Sequence, residues 1–432
     1  MKRKALLSLK NWKCDTDRKP LILKGARQVG KTWLMEQFGK EYYEDYFYFN
    51  FDEEEEIASI FKSNKDPFRI IELLGLLKGK KIEPEKHLII FDEVQECPEA
   101  LNALKYFYEK ANDYHIVSAG SLLGTLLAKP KSYPVGKVNV MNLYPMTFEE
   151  FLCAMDESLY QYYEGITKGS IIEEIFHNKL MELYKYYLII GGMPECVSNW
   201  IKYKDYSRVE KIQRELLELY ENDFSKHNGK VNSGRILLVF RSIVSQLAKD
   251  NEKFVYGCVR EGARAREFEE AIEWLVSAGM VIRIHNVSKA EHPLNAFEEV
   301  NHFKLFLFDV GLLKCMAGIS NEAILLKTDY QFKGALAENY CLQQLRDVFD
   351  TLPKYYVQGQ NSEIDFLLQN GMEIIPVEVK AGEATHAKSL KKYISDKNPK
   401  EALRYSGLGY KEQECIINIP LYLIGKTKEL LK

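Results

Sequence analysis

One segment, LILKGARQVGKTWLMEQF at residues 21–38, limits what this chain can become more than any other. Three apolar residues lead into a loop with two glycines, and a lysine, a threonine and a helix-like run follow. The spacing of Gly25, Gly30, Lys31 and Thr32 fits G-x-x-x-x-G-K-[ST], and a strand before and an amphipathic segment after are the setting it needs. Such a loop cradles phosphate. Glycines let successive backbone N–H groups point inward, and the next helix turns its partly positive N-terminus on the same anion. Lys31 then reaches the β- and γ-phosphates, and Thr32 offers its hydroxyl to Mg2+.

A loop of this kind needs a carboxylate strand, and KHLIIFDEVQECP at 86–98 supplies one. Leu88 to Phe91 form a short unbroken apolar run, as in a parallel strand buried on both faces. It ends in Asp92 and Glu93. Asp92 is expected to hold Mg2+, directly or through water, and Glu93 to orient the attacking water. The plainer alternative is a strand that leaves its sheet through acidic residues. A further run, YHIVSAGSLLG, ends in Ser118 and Ser121, and Ser121 is the preferred sensor of the γ-phosphate. Serine after a strand is also ordinary turn chemistry.

The strings LILKGARQVGKT, IIFDEVQ, SAGSLLG, LYPMTFEEF and IIGGMPE, continued by FKLFLFDVGLL, GALAENY, SEIDFLL, IPVEVKAG and IPLYLI, span most of the chain. In them the chain resembles AAA-type P-loop ATPases of bacteria and archaea whose C-terminal half is a domain of uncharacterised function. The resemblance implies ATP as ligand, with Mg2+, and hydrolysis by the N-terminal domain. One departure stands out: no arginine lies between Arg69 and Arg208, a stretch where many AAA proteins carry an inter-subunit arginine finger. Arg27 in the loop or Lys137 in YPVGKV is the alternative source of positive charge.

With 432 residues there is chain enough for two or three cores, and 46% hydrophobic with 28% charged residues is a globular balance. MKRKALLSLK carries too few apolar residues for a signal peptide, and no apolar run reaches bilayer length, so no membrane contact and a cytoplasmic setting are expected. Eight cysteines without a C-x-x-C pair point to reduced thiols rather than structural zinc. A net charge of −3 gives no global attraction to nucleic acid, so DNA, as a possible partner, would need a local patch. Nothing in the sequence fixes an oligomeric state.

Strand and helix patterns alternate to about Leu127, which implies a parallel, helix-covered sheet. The acidic run FDEEEE at 51–56 reads as a solvated loop or helix start. Later the texture turns helical, as in KLMELYKYYLIIGG. The middle reads as a winged-helix unit: helix GRILLVFRSIVSQLA, a turn through Lys249 to Asn251, helix AREFEEAIEWLVSAG ended by Gly279, then strand MVIRIHNVS. Arg260, Arg264 and Arg266 stand at the start of the second helix, where a recognition helix meets phosphates. The bland alternative is a lid or spacer.

A second chemical signal is NSEIDFLLQNGMEIIPVEVKAG at 361–382. Asn370-Gly371 between two strand patterns predicts a two-residue hairpin turn, with Gln369 facing Met372 and Asp365 facing Pro376. Alternation then puts Glu363, Asp365, Glu378 and Lys380 on one face and Ile364, Phe366, Ile375, Val377 and Val379 on the other. Asp365 and Glu378 become diagonal neighbours that one Mg2+ can bridge, and Lys380 can act on a metal-bound water. This D…E-x-K hairpin resembles the PD-(D/E)XK nuclease core, although no proline directly precedes Asp365. The resemblance adds Glu338, on the preceding helix, to the metal set. Ordinary cross-strand ion pairs are the competing reading.

The expected architecture is thus α/β, with a P-loop parallel-sheet ATPase domain at 1–185, a helical or winged-helix middle at 186–300, and a restriction-endonuclease-like α/β domain at 301–432. The expected function is ATP-controlled engagement of nucleic acid by the C-terminal domain. The rival is a non-nucleolytic, ATP-dependent switch that recruits a protein partner.

Overall fold

The computed structural model describes residues 1–120, 136–227, 229–249, 253–326, 330–346, 348–359, 362–383 and 387–431. It is mixed α/β, in two compact units.

The first unit comprises residues 1–144 with 277–280. Its strands are Leu21–Lys24 (β1), Asp45–Asn50 (β2), His87–Asp92 (β3), His115–Ala119 (β4) and Asn139–Asn142 (β5). They lie in the order β2-β3-β4-β1-β5 with every neighbouring pair parallel. β3 and β4 are buried along their whole length, as continuous apolar parallel strands must be. On one face Ile22, Phe49, Phe91 and Ile116 meet Ile57 and Phe61, Ile70 and Leu74, and Leu101 and Phe107, each pair from a separate helix. The helix Lys31–Tyr42 lies along β2, β3 and β4. The acidic run resolves into a turn and the start of helix Glu55–Ser63, where Glu55 and Glu56 suit the positive helix end.

The second unit comprises residues 145–276 and 281–432. Six helices between Phe148 and Leu247 give the expected helical texture. Then come a short helix Tyr256–Val259, the helix Ala265–Ser277 and an antiparallel pair, Val281–Val287 (β6) and Glu298–Leu307 (β7). Gly279 follows the helix at φ 73°, as expected of a left-handed cap. Of the expected turn, residues 250–252 lie outside the described residues. Lys354–Val357 (β8), Glu363–Asn370 (β9), Glu373–Val379 (β10), Ala402–Ser406 (β11), Lys411–Gln413 (β12) and Ile416–Pro420 (β13) complete a mixed eight-stranded sheet. Its order is β12-β13-β11-β10-β9-β8-β6-β7.

The boundaries expected at 185/186 and 300/301 fall inside the helix Glu174–Ile190 and inside β7. A buried polar hub ties the stretches on either side together. Asp309, fully buried, accepts the N–H of Gly192 (2.6 Å) and of Leu312 (3.0 Å), while Gln343 donates to Asp309 (3.3 Å) and to the Tyr187 hydroxyl (2.9 Å). Tyr187 in turn donates to the carbonyl of Met146, and Gln344 accepts the N–H of Phe148 at 2.8 Å. The double glycine is required by space: a Cβ on Gly191 would lie 2.2 Å from Asp309 Oδ1, and one on Gly192 would lie 2.1 Å from the Met146 carbonyl oxygen. Stretches near residues 146, 190, 309 and 343 thereby share one interior.

Candidate functional site

The phosphate loop begins where β1 ends. Gly25 has no room for a side chain, since a Cβ there would lie 2.2 Å from the Leu143 carbonyl oxygen. Gly30, at φ 91°, caps the helix Lys31–Tyr42 in a left-handed conformation. Lys31 opens that helix, and its Nζ donates to the carbonyls of Gly25 and Ala26, both at 2.9 Å. The ammonium is curled over its own loop, with the side chain buried. Burial pulls Lys31 from 10.5 down to about 8, against the opposing charges of Glu93 and Asp92 and with the help of Arg27.

Thr32 Oγ1 donates to Asp92 Oδ2 at 2.6 Å across sixty residues of sequence. Tyr48, on β2, donates to the same oxygen at 3.1 Å, and the Glu93 N–H reaches Oδ1 at 3.0 Å. Burial holds the Asp92 carboxyl above its ordinary range, partly offset by the Thr32 hydrogen bond. Tyr48 escaped the sequence reading, although DYFYFN alternates and so sets Tyr46 and Tyr48 on the face opposite Phe47 and Phe49. Glu93 sits at φ 49°, ψ 40°, a conformation that strains a residue with a Cβ, and Gln95 holds its carboxylate at 2.5 Å. A strained acid directly after a buried strand is where a positioned carboxylate is found. The hydroxyl of Thr32 and the carboxylate of Asp92 are hard oxygen donors of the kind Mg2+ accepts beside phosphate oxygens.

Two expectations on this site change. Ser118 is fully buried one residue before the end of β4, between Ile22 of β1 and Phe91 of β3, so it faces the core and not the loop. Ser121 lies outside the described residues. Lys137 pairs with Glu109 at 3.1 Å and lies over the Tyr108 ring, whereas Arg27 is in the loop itself and acts on Lys31.

The C-terminal hairpin forms with a different register from the one expected. Asn370 pairs with Glu373 and Gln369 with Ile374, so the two turn residues are Gly371 and Met372. Of these only Gly371 has positive φ (60°). A turn with one left-handed residue takes glycine in its first central place, whereas Asn-Gly in the centre needs two. The slip is even, so the faces survive. The ladder runs to Phe366–Val377, and one step further it sets Asp365 directly opposite Glu378 instead of diagonal to it.

Asp365 Oδ2 accepts the Val379 N–H at 2.6 Å, and burial, followed by the charge of Glu378, raises Asp365 to about 7. Lys380 Nζ meets Glu378 Oε1 at 2.6 Å. Burial works to lower Lys380, but the hydrogen bond and charge of Glu378 leave it above its ordinary value. Lys304 on β7 is the residue that sequence reasoning missed. It is buried, 2.5 Å from Glu363 and 3.8 Å from Glu338. Its one signal was a lone charge in the apolar run around FKLFLF. The two lysines divide the acids between them, and among the described residues no group of three acidic, histidine or cysteine side chains is disposed to hold a metal ion. Glu338 lies beside Lys304. Glu378 Oε2 is buried without a hydrogen-bond partner. Beside it on the parallel strand β11 is Arg404, whose Nε donates to Asn418 Oδ1 at 2.7 Å.

Arg264 and Arg266 are exposed at the start of the helix Ala265–Ser277, while Arg260 is held by Glu267 at 2.7 Å. All eight cysteines are free. Among the described residues no helix is long and apolar enough to cross a membrane.

Residues 17–152 match the model of an AAA domain, and the loop, the Thr32–Asp92 contact and the parallel sheet agree with that match. Residues 181–323 and 333–423 match two domains of unknown function. Along 86% of its length the chain is 24% identical to an uncharacterized protein of Methanocaldococcus jannaschii, covering 77% of that protein. Similar solved structures include the Walker-type ATPase PABY2304 of Pyrococcus abyssi (16% identity, 73% of this chain and 95% of that one, TM-score 0.47). Another is the ORC1 protein of Aeropyrum pernix in complex with DNA (13% identity, 73% and 91%, TM-score 0.24).

Proposed function

We propose that this protein binds ATP with Mg2+, hydrolyses it, and uses its nucleotide state to control engagement of nucleic acid by a nuclease-like C-terminal domain. The observation that carries the first part is the 2.6 Å hydrogen bond between Thr32 and Asp92, with Lys31 folded over the same loop. The contact brings the helix start and the end of the carboxylate strand together, and this supports a site for a Mg2+-bound triphosphate. Thr32 and Asp92 would hold the ion, Lys31 would give up its contacts to the Gly25 and Ala26 carbonyls for phosphate oxygens, and Glu93 would position the attacking water. Lys31→Ala should abolish nucleotide binding, whereas Glu93→Gln should bind normally and not turn over. ATP affinity measured beside turnover for each variant tests this, and full turnover by Glu93→Gln would remove the role given to Glu93.

For the second part, the helix, short helix, helix and hairpin of residues 229–307 follow the order of a winged helix, and exposed Arg264 and Arg266 offer phosphate contacts. Asp365 opposite Glu378, with a buried carboxylate oxygen to satisfy, supports a divalent ion held by these two, beside Lys380. The pairing of Lys304 and Lys380 with the acids favours the rival, a cleavage-silent module that recruits a protein partner under ATP control. Nucleotide-dependent DNA binding or cutting by the purified protein decides for the first, and neither under any nucleotide decides for the second.

A further inference from the structure

Beyond the end of β10 the chain passes Lys380 and runs through Ala381, Gly382 and Glu383 into the wall of a cavity of about 340 Å³ that the site above does not use. Its other walls are the helix Glu174–Ile190 (Met181, Tyr184, Lys185, Leu188), the side chains of Ala323, Ile324 and Tyr330, the helix start at Lys333, and Gly407 beyond β11. The cavity thus sits at the carboxyl ends of the parallel pair β10 and β11, where open α/β sheets bind ligands. Its chemistry is divided. Met181, Leu188, Ile324 and Ala381 are apolar, and two tyrosines add ring surface: Tyr184 is anchored edge-on against Tyr340 at 4.8 Å, and Tyr330 is half-buried. Against these stand two ammonium groups and one carboxylate. Lys185 Nζ is placed by its hydrogen bond to the Leu325 carbonyl (2.9 Å), and Lys333 Nζ reaches across to Gly382, where a Cβ would lie 3.5 Å away. Gly382 and Gly407 join through a 2.9 Å backbone hydrogen bond and leave bare main chain at the floor.

We propose that this cavity binds a free nucleoside monophosphate that carries an amino-substituted base. Apolar and aromatic surface takes a planar ring, as base stacking on tyrosine does. Lys185 and Lys333 take a phosphate dianion, and the Glu383 carboxylate accepts from an exocyclic amine, which selects adenine or cytosine over uracil. The volume is at the small end for ligand sites, enough for a single compact molecule. Binding here does not depend on whether the neighbouring carboxylates cut nucleic acid.

The test uses the full chain carrying Lys31→Ala, so that the phosphate loop is out of play, with AMP, UMP and inorganic phosphate as probes in calorimetric titration. AMP should bind one site, UMP and phosphate at least tenfold more weakly. Adding Lys333→Glu should cost AMP a further tenfold or more, and Tyr330→Ala should do the same. Lys333 is partly exposed, so its variant keeps the fold, which a melting curve verifies. Absence of AMP binding in the Lys31→Ala chain, or AMP affinity unchanged by Lys333→Glu, overturns the proposal. Equal binding of UMP removes the role of Glu383 and with it the choice of base.

Discussion

Lys31 makes the most quantitative prediction available in this molecule, because its charge is stored in a buried place before any phosphate arrives. Its folded value of about 8 lies below the ordinary 10.5. At pH 7 both states of the chain carry the proton, and the whole cost of the buried ammonium is present. Between pH 8 and 10.5 the folded protein releases a proton that the unfolded chain keeps, so stability rises with pH through that window, by about 3 kcal/mol for the 2.5-unit gap. Phosphate oxygens bound beside Nζ restore the charged form. Nucleotide binding above pH 8 must therefore take up a proton, close to half at pH 8 and about 0.9 at pH 9, and affinity should fall roughly tenfold per pH unit beyond 8. The assay is calorimetric titration of a non-hydrolysable ATP analogue with Mg2+ at pH 7, 8 and 9, in two buffers of different ionisation enthalpy. Arginine keeps its charge over this range, so Lys31→Arg, if it binds at all, should show no uptake. Urea unfolding of the nucleotide-free protein gives the second arm, in which the rise in stability from pH 8 to 10.5 should be missing in Lys31→Met. Equal affinity at pH 7 and 9 with no proton taken up would refute the placement of Lys31 as a desolvated charge.

Three further outcomes follow from named contacts. Changing Arg264 and Arg266 together to alanine should weaken DNA binding and lower the slope of log affinity against log salt by about 2, and an unchanged slope assigns both to solvent. Asp365 is raised to about 7, so in metal-free protein its contribution to stability is full below about 3.8 and is lost as pH rises through 7. Asp365→Asn should remove that loss in denaturation curves at pH 5 and 8, and should also abolish any Mn2+ uptake seen by titration of the intact chain. Gly192→Ala should destabilise the second unit by several kcal/mol, because its methyl would lie 2.1 Å from a backbone oxygen that has no room to retreat. A melting temperature within two or three degrees of the parent would show that the hub relaxes.

The phosphate loop was legible because its chemistry is local. Six consecutive positions between Gly25 and Thr32 fix the backbone, and the following helix start fixes Lys31. Asp92 was legible for a related reason, as the first acid after an unbroken apolar strand. Tyr48 and Lys304 were not, since each joins its site through a neighbouring strand, and strand order is a property of the whole sheet. The hairpin shows both sides of this limit. Alternation placed Glu363, Asp365, Glu378 and Lys380 on one face correctly, because faces depend only on parity. Register depends on which two residues turn, and there the left-handed Gly371 took the first central place instead of the second. The hydrogen bonds of Asp309, which link stretches on both sides of residues 185 and 300, are invisible to composition.

The hub around Asp309 has a consequence for how such chains are grouped. LYPMTFEEF, IIGGMPE and FKLFLFDVGLL are among the strings that make this sequence recognisable, and here they are the walls of one crowded interior, where an added methyl or a lost acceptor has nowhere to go. Chains that keep this interior will keep those strings whatever their surfaces do. Kinship traced through them identifies a common chassis, and sorting such proteins by activity calls for comparing the places that packing leaves free to vary: the acids and amines around Asp365, and the lysines at 185 and 333.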